Sequence, residues 1–146
     1  MSEKNLALDD ALIIGAIETI DLPDLGLAAI TTRIDTGAQT SALHVDHIQL
    51  KDRGGIIEFE FHPDFHEVKK TIKCSAQLHD TRWVKSSNGE RERRYVIKTT
   101  ATLGVKTWEI ELTLTNRSGM NHLMLLGREA MQDGFLVHPG ESFLAS

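Results

Sequence analysis

Two short signals in this 146-residue chain combine residue types that can do chemistry. The first is Arg33-Ile34-Asp35-Thr36-Gly37-Ala38, which leaves an apolar run and continues as Gln39-Thr40-Ser41-Ala42-Leu43. The second is Leu123-Met124-Leu125-Leu126-Gly127-Arg128-Glu129, an apolar run that ends in glycine. An Asp-Thr-Gly turn can hold a carboxylate at a fixed angle, because glycine tolerates close backbone approach and conformations that other residues resist. The glycine amide can donate to the carboxylate, and the threonine hydroxyl is free to tie the turn to a neighbouring one. Two such carboxylates a few Å apart cannot both ionise, so they share a proton. One then serves as base on a bound water while the other, protonated, polarises a carbonyl. The chain has one Asp-Thr-Gly, so the pair requires a second copy.

Each signal is weak alone, since Asp, Thr and Gly all favour ordinary turns. Other chemistries find less support. Ser41 and Ser86 lack the Gly-x-Ser-x-Gly turn that would expose a nucleophile. Cys74 lies on the apolar side of an alternating run and reads as core, and a single cysteine allows neither an internal disulfide nor a thiolate cluster. Trp83 and Trp108 read as packing residues. No His-Glu-x-x-His helix is present; the nearest pair, His62 and His66, flanks Pro63 and reads as surface histidines in a turn. No phosphate-cradling Gly-x-x-x-x-Gly-Lys loop exists. Neither a metal nor another cofactor is expected.

The elements that must position Asp35 read as strands. Ile57, Phe59 and Phe61 alternate with Glu58, Glu60 and His62, and Ile72, Cys74, Ala76 and Leu78 alternate with polar residues. Tyr95, Ile97, Thr99, Ala101 and Leu103 share one side of a longer run, as do Trp108, Ile110, Leu112 and Leu114 of the next. A period of two with one apolar face marks half-buried antiparallel strands. Turn signals at Pro23-Asp24-Leu25-Gly26, Gly54-Gly55, Ser87-Asn88-Gly89, Leu103-Gly104 and Ser118-Gly119 separate them. Only Arg128 to Gln132 has a helical look. This pattern predicts an all-β single domain over residues 1–146, a closed barrel with one short helix after Gly127.

Composition sets outer bounds. Hydrophobic residues are 40% and charged residues 25% of the chain, enough for a packed core. The net charge of -5 gives no general attraction to nucleic acid or anionic membranes. No apolar run is long enough to span a bilayer, and the first ten residues do not resemble a signal peptide, so a cytoplasmic protein is expected. Positive charge is concentrated between residues 61 and 106, where Lys85 to Arg94 carries Arg91, Arg93 and Arg94.

The chain resembles the bacterial retropepsin-like, RimB-like proteins often labelled ATP-dependent zinc proteases, found beside or fused to RimK-type glutamate ligases. The resemblance rests on Arg33 to His44, Val84 to Gly89, Arg94 to Ile97, Glu111 to Arg117 and Met124 to Met131. It implies the retroviral-type acid protease plan and a homodimeric aspartic peptidase with Asp35 catalytic and Thr36 and Gly37 supporting it. Leu126 and Gly127 would lie behind the active-site loop, and Arg128 would brace the dimer. Ala38 would line the substrate site. The Lys85–Arg94 segment would serve as flap or flap base, its arginines gripping acidic side chains. Association with glutamate ligases implies a peptide or protein substrate carrying an oligoglutamate tail. Two other classes share these residues: a non-catalytic peptide-binding dimer and, with less support, a zinc-dependent hydrolase.

Overall fold

The computed structural model describes residues 10–63, 70–85, 88–116 and 121–146. His66, Ser86 and the Ser118-Gly119 turn considered above lie outside the described residues. Twelve strands account for most of the described chain: β1 (Leu12–Ile14), β2 (Ile17–Leu22), β3 (Leu27–Asp35), β4 (Ser41–His44), β5 (Asp46–Lys51) and β6 (Ile56–Phe61), then β7 (Ile72–Gln77), β8 (Asp80–Lys85), β9 (Arg91–Leu103), β10 (Lys106–Thr115), β11 (Met124–Gly127) and β12 (Phe135–Val137). Among the described residues no helix is long and apolar enough to cross a membrane.

The all-β expectation holds. One sheet runs β10-β4-β11-β3-β2-β9-β8, and β10 also pairs with β9, so six of its strands close into a barrel with β8 attached outside. Leu112, Leu114, Ile97, Leu103, Ile20 and Met124 are buried in the core that this closure creates. A second sheet, β5-β6-β7, packs its alternating Ile57, Phe59 and Phe61 inward, with Cys74 from the neighbouring strand. Burial of such side chains contributes roughly 1.5–3 kcal/mol each, which is why the alternation in sequence translates into sheet faces.

Turns fall where glycine was expected. Gly26 follows a single 3-10 turn at Pro23–Leu25 with a left-handed φ of 72°. Gly104 (φ 58°) opens the tight connection in which Leu103 pairs with Lys106. The short helix after Gly127 is a 3-10 turn at Arg128–Met131; similar turns at Pro23–Leu25 and Asp52–Gly54 were read from sequence as turns.

The barrel is mixed rather than purely antiparallel. β3 runs parallel to β11 and β4 parallel to β10. A period of two reports which face of a strand is buried but not the direction of its neighbour, so the sequence pattern is the same for both. β11 lies between β3 and β4, pairing with β3 in parallel and with β4 antiparallel. The chain between β3 and β4, residues 36–40, therefore passes over the end of β11.

Candidate active site

Asp35 is the last residue of β3, and Gly127, the last residue of β11, is its register partner. The two sequence signals, far apart in the chain, thus end side by side. Directly after Asp35 the chain turns: Ala38 N–H donates to the Asp35 carbonyl (3.2 Å), and Gly37 N–H donates to Asp35 Oδ1 (3.0 Å). A Cβ on Gly37 would lie 3.2 Å from that same Oδ1, tight against the carboxylate it holds. Asp35 is half-buried, whereas Thr36 and Gly37 are exposed. Among the described residues, neither Asp35 Oδ2 nor the Thr36 hydroxyl has a hydrogen-bond partner.

The 36–40 loop is fastened to the end of β11 by several bonds. Arg128 N–H donates to the Ala38 carbonyl (2.8 Å) and Glu129 N–H to the Gln39 carbonyl (3.2 Å). Arg128 Nη1 donates to the Gly37 carbonyl (3.2 Å), and Gln39 Nε2 donates to Glu129 Oε1 (2.7 Å). Gly127 must be glycine on steric grounds. A Cβ there would sit 2.6 Å from the Thr40 carbonyl carbon, 2.7 Å from its oxygen and 3.0 Å from the Ala38 oxygen. Leu126, one residue earlier, is fully buried and pairs with Ile34 behind the turn.

Residues whose supporting role was not foreseen from sequence complete the mount. The buried Ser41 hydroxyl accepts the Gly127 N–H (3.0 Å), and its carbonyl accepts from Thr113 Oγ1 (2.7 Å). Arg94 Nη1 donates to that threonine oxygen at 3.4 Å, while Arg94 Nε donates to Glu92 Oε2 at 2.9 Å. The signal in sequence was slight: a serine beginning an apolar run, and a threonine on the polar side of an alternating strand.

The structure separates the three arginines of the charged segment. β8 and the first half of β9 form a hairpin in which Lys85 faces Arg91 and Trp83 faces Arg93. Arg91 and Arg93 are exposed on one side of it; Arg91 lies over the Trp83 ring at 5.6 Å, and Arg93 Nη2 donates to Thr81 Oγ1 (3.3 Å). Arg94 points the other way and is 8% exposed, its guanidinium engaged by Glu92 and Thr113. At the hairpin base Arg82 Nη1 donates to Glu111 Oε2 (2.9 Å), which holds the Glu111 carboxyl below its ordinary value. A cleft of about 510 Å³ lined by Thr40, Ser41, Trp108, Glu111, Glu129 and Asp133 reaches the rear of the 36–40 loop and does not include Asp35.

With this geometry in place, comparison with known proteins is decisive for kinship. Residues 13–146 match the family described as RimB-like, retropepsin-like aspartic endopeptidase RimB. The chain belongs to the RimB-like family. It is 47% identical over 137 residues to a probable alpha-L-glutamate ligase of Shewanella pealeana, covering 92% of this chain and 30% of that protein. A probable alpha-L-glutamate ligase of Desulfotalea psychrophila is 43% identical over 129 residues, covering 87% of this chain and 28% of the relative. This RimB-like chain therefore spans less than a third of the length of those relatives. The crystal structure of Lpg0085, a Legionella pneumophila protein of unknown function, superposes with a TM-score of 0.73 at 25% identity, covering 92% of this chain and 98% of that one.

Proposed function

We propose that this RimB-like chain is an aspartic peptidase that acts as a homodimer, with a water held between the two copies of Asp35. The observation that carries the reading is the asymmetric treatment of the Asp35 carboxylate. Oδ1 is fixed by Gly37 N–H, whereas Oδ2 has no partner among the described residues. One chain supplies half of an acid–base pair on a turn that Arg128 and Gly127 hold rigidly. Facing carboxylates would share one proton. The ionised one takes a proton from the water as that water attacks the scissile carbonyl, and the protonated one donates to the developing oxyanion. The nitrogen of the broken peptide bond is then protonated as the amine leaves. Thr36, exposed beside the carboxylate, is free to bond to the partner turn, and in this reading the half-buried Ala38 meets the substrate.

The substrate we assign is a peptide or protein ending in glutamates, of the kind that a RimK-type ligase adds. Its support is the kinship to proteins named glutamate ligases, together with the exposed Arg91 and Arg93, whose guanidiniums can pair bidentately with carboxylates. No nucleic acid or membrane enters this reading. The test is mass spectrometry of oligoglutamylated peptide after incubation with wild type and with Asp35→Asn, the oligomeric state being measured on the same samples. Cleavage by a wild-type dimer and none by the variant is expected. Equal cleavage by Asp35→Asn overturns the peptidase assignment; peptide binding without cleavage by either protein leaves a binding module in its place.

A further inference from the structure

The second sheet carries a cluster that the acid–base chemistry does not use. Asp46 on β5 and Glu60 on β6 are direct register partners, so two carboxylates face each other across an antiparallel pair. Like charges in that position repel and call for a cation between them. Immediately after Asp46 the register slips, and the residue in the slip, His47, adopts a left-handed φ of 50°. That conformation is unfavourable for a side chain with a Cβ. It brings His47 Nδ1 to 2.8 Å from Asp46 Oδ1 and 2.7 Å from Glu60 Oε2.

A single ring nitrogen carries at most one hydrogen, so it can serve both oxygens only by sharing that hydrogen between them. A metal ion at that point can bond all three donors. The donor atoms of Asp46, His47 and Glu60 lie within 4.8 Å of one another. His62, just past the end of β6, follows Glu60 by two residues, with Nε2 at 2.9 Å from Asp46 Oδ2. Its other nitrogen is 3.2 Å from Thr71 Oγ1, an outer contact of the kind that orients metal-binding imidazoles. We propose that Asp46, His47, Glu60 and His62 bind one divalent transition-metal ion, with Zn²⁺ the best match.

The charge arithmetic and the donor chemistry agree. A divalent ion neutralises the two carboxylates and leaves both imidazoles to act as neutral donors. Two imidazoles with two carboxylates suit zinc and its neighbours rather than Mg²⁺ or Ca²⁺, which take oxygen donors. Tetrahedral ligands at roughly 2.0–2.2 Å from zinc stand about 3.3 Å apart. The clustered donors of Asp46, His47 and Glu60, all within 4.8 Å of one another, reach that spacing by small shifts, while His62, held on the other oxygen of Asp46, swings in as the fourth. The side chain of His47 is 71% exposed, leaving an entry path, while that of His62 is 17% exposed and anchors the inner side. This departs from the expectation of no metal. The search for zinc ligands in sequence looked for a helix, whereas here Asp46-His47 and Glu60-x-His62 converge across two strands.

The site sits on the β5-β6-β7 sheet and Asp35 on the barrel, so the proposal stands apart from the peptidase reading. Tag-free full-length protein is dialysed against chelator, titrated with Zn²⁺ by calorimetry, and examined with Co²⁺ in the visible range. One equivalent of Zn²⁺, a raised Tm and the Co²⁺ absorption of a four-coordinate nitrogen–oxygen site are expected. His47→Ala and the near-isosteric Glu60→Gln should each weaken zinc at least about tenfold while keeping the wild-type circular dichroism spectrum. Asp35→Asn should bind zinc as wild type does. Absence of stoichiometric binding by wild type, or undiminished binding by a folded Glu60→Gln, overturns the site.

Discussion

Asp35 and Gly127 are register partners at the ends of two parallel strands, and the loop that follows the first crosses the end of the second. The acidic turn is thus held from behind by backbone, with the Arg128 guanidinium adding a bond to the Gly37 carbonyl. The close approach leaves no room for a methyl group, since a Cβ on Gly127 would stand 2.6 Å from the Thr40 carbonyl carbon. Gly127→Ala should force the 36–40 loop off its seat, costing about 1–3 kcal/mol of stability. Urea denaturation reads the loss directly. An unchanged midpoint would show that the loop yields without strain and is not a rigid mount for Asp35.

Much of this arrangement could be read in the chain before folding, and the part that could not has a physical reason. The alternation of Ile57, Phe59 and Phe61 identified a buried face because a strand's side chains alternate by construction. Leu103-Gly104 marked a tight connection because glycine accepts its positive φ. Nothing local revealed that β11 inserts between β3 and β4, since strand neighbours are chosen by long-range closure of the barrel. Ser41, considered only as a nucleophile, hid its supporting role for the same reason: its partner, Gly127 N–H, is 86 residues away. In the run Arg91-Glu92-Arg93-Arg94, the three arginines were expected to act together on acidic side chains, but the strand period divides them between two faces and buries Arg94.

Glu18 shows how misleading a charged residue in a strand can be. It lies on the inward side of β2 with Ile20 and Leu22 and is fully buried. Its carboxylate accepts from Gly15 N–H (2.7 Å), Leu144 N–H (2.9 Å), Ser146 N–H (3.0 Å) and the Ser146 hydroxyl (2.7 Å). Burial alone would raise its pKa, but these donors together hold it below the ordinary 4.5. A carboxyl depressed in the folded state stabilises fully above its unfolded value and loses that contribution as pH falls through the folded one. Wild-type Tm should therefore drop below about pH 4.5. Glu18→Gln, which turns an NH₂ toward the same donors, should be less stable at pH 7 by about 2 kcal/mol or more and should lose less on acidification. Parallel pH profiles of Tm for the two proteins would count against this latch.

Cys74 offers a separate test of the second sheet. It is 4% exposed on β7, with Sγ 3.6 Å from the Leu25 carbonyl, and burial pushes its thiol up to about 11. Thiolate is the reactive form, so native protein at pH 8 should alkylate with iodoacetamide at least about a hundredfold more slowly than urea-unfolded protein. Mass-detected labelling at the unfolded rate in native buffer would contradict the packing of β6 and β7 around it.

The split of the arginines carries the sharpest functional contrast. Arg91 and Arg93 are exposed beside Trp83, where replacement removes charge without opening a core. Arg91→Ala and Arg93→Ala should leave stability within about 0.5 kcal/mol of wild type. In the peptidase reading, each should lower kcat/KM for a glutamate-tailed peptide by roughly tenfold, mainly through KM, with little effect on a neutral peptide. Arg94 stands on the other face, between Glu92 and the Thr113 hydroxyl that donates to the Ser41 carbonyl behind Gly127. Arg94→Ala leaves Glu92 and Thr113 short of a donor and should cost about 1–3 kcal/mol, lowering activity on acidic and neutral peptides alike. Urea melts beside kinetics on the two peptides separate these outcomes. If Arg94→Ala were fully stable and selective against acidic substrate, the guanidinium would have to leave its buried partners to meet the peptide, and the division of labour drawn from the two faces of β9 would be wrong.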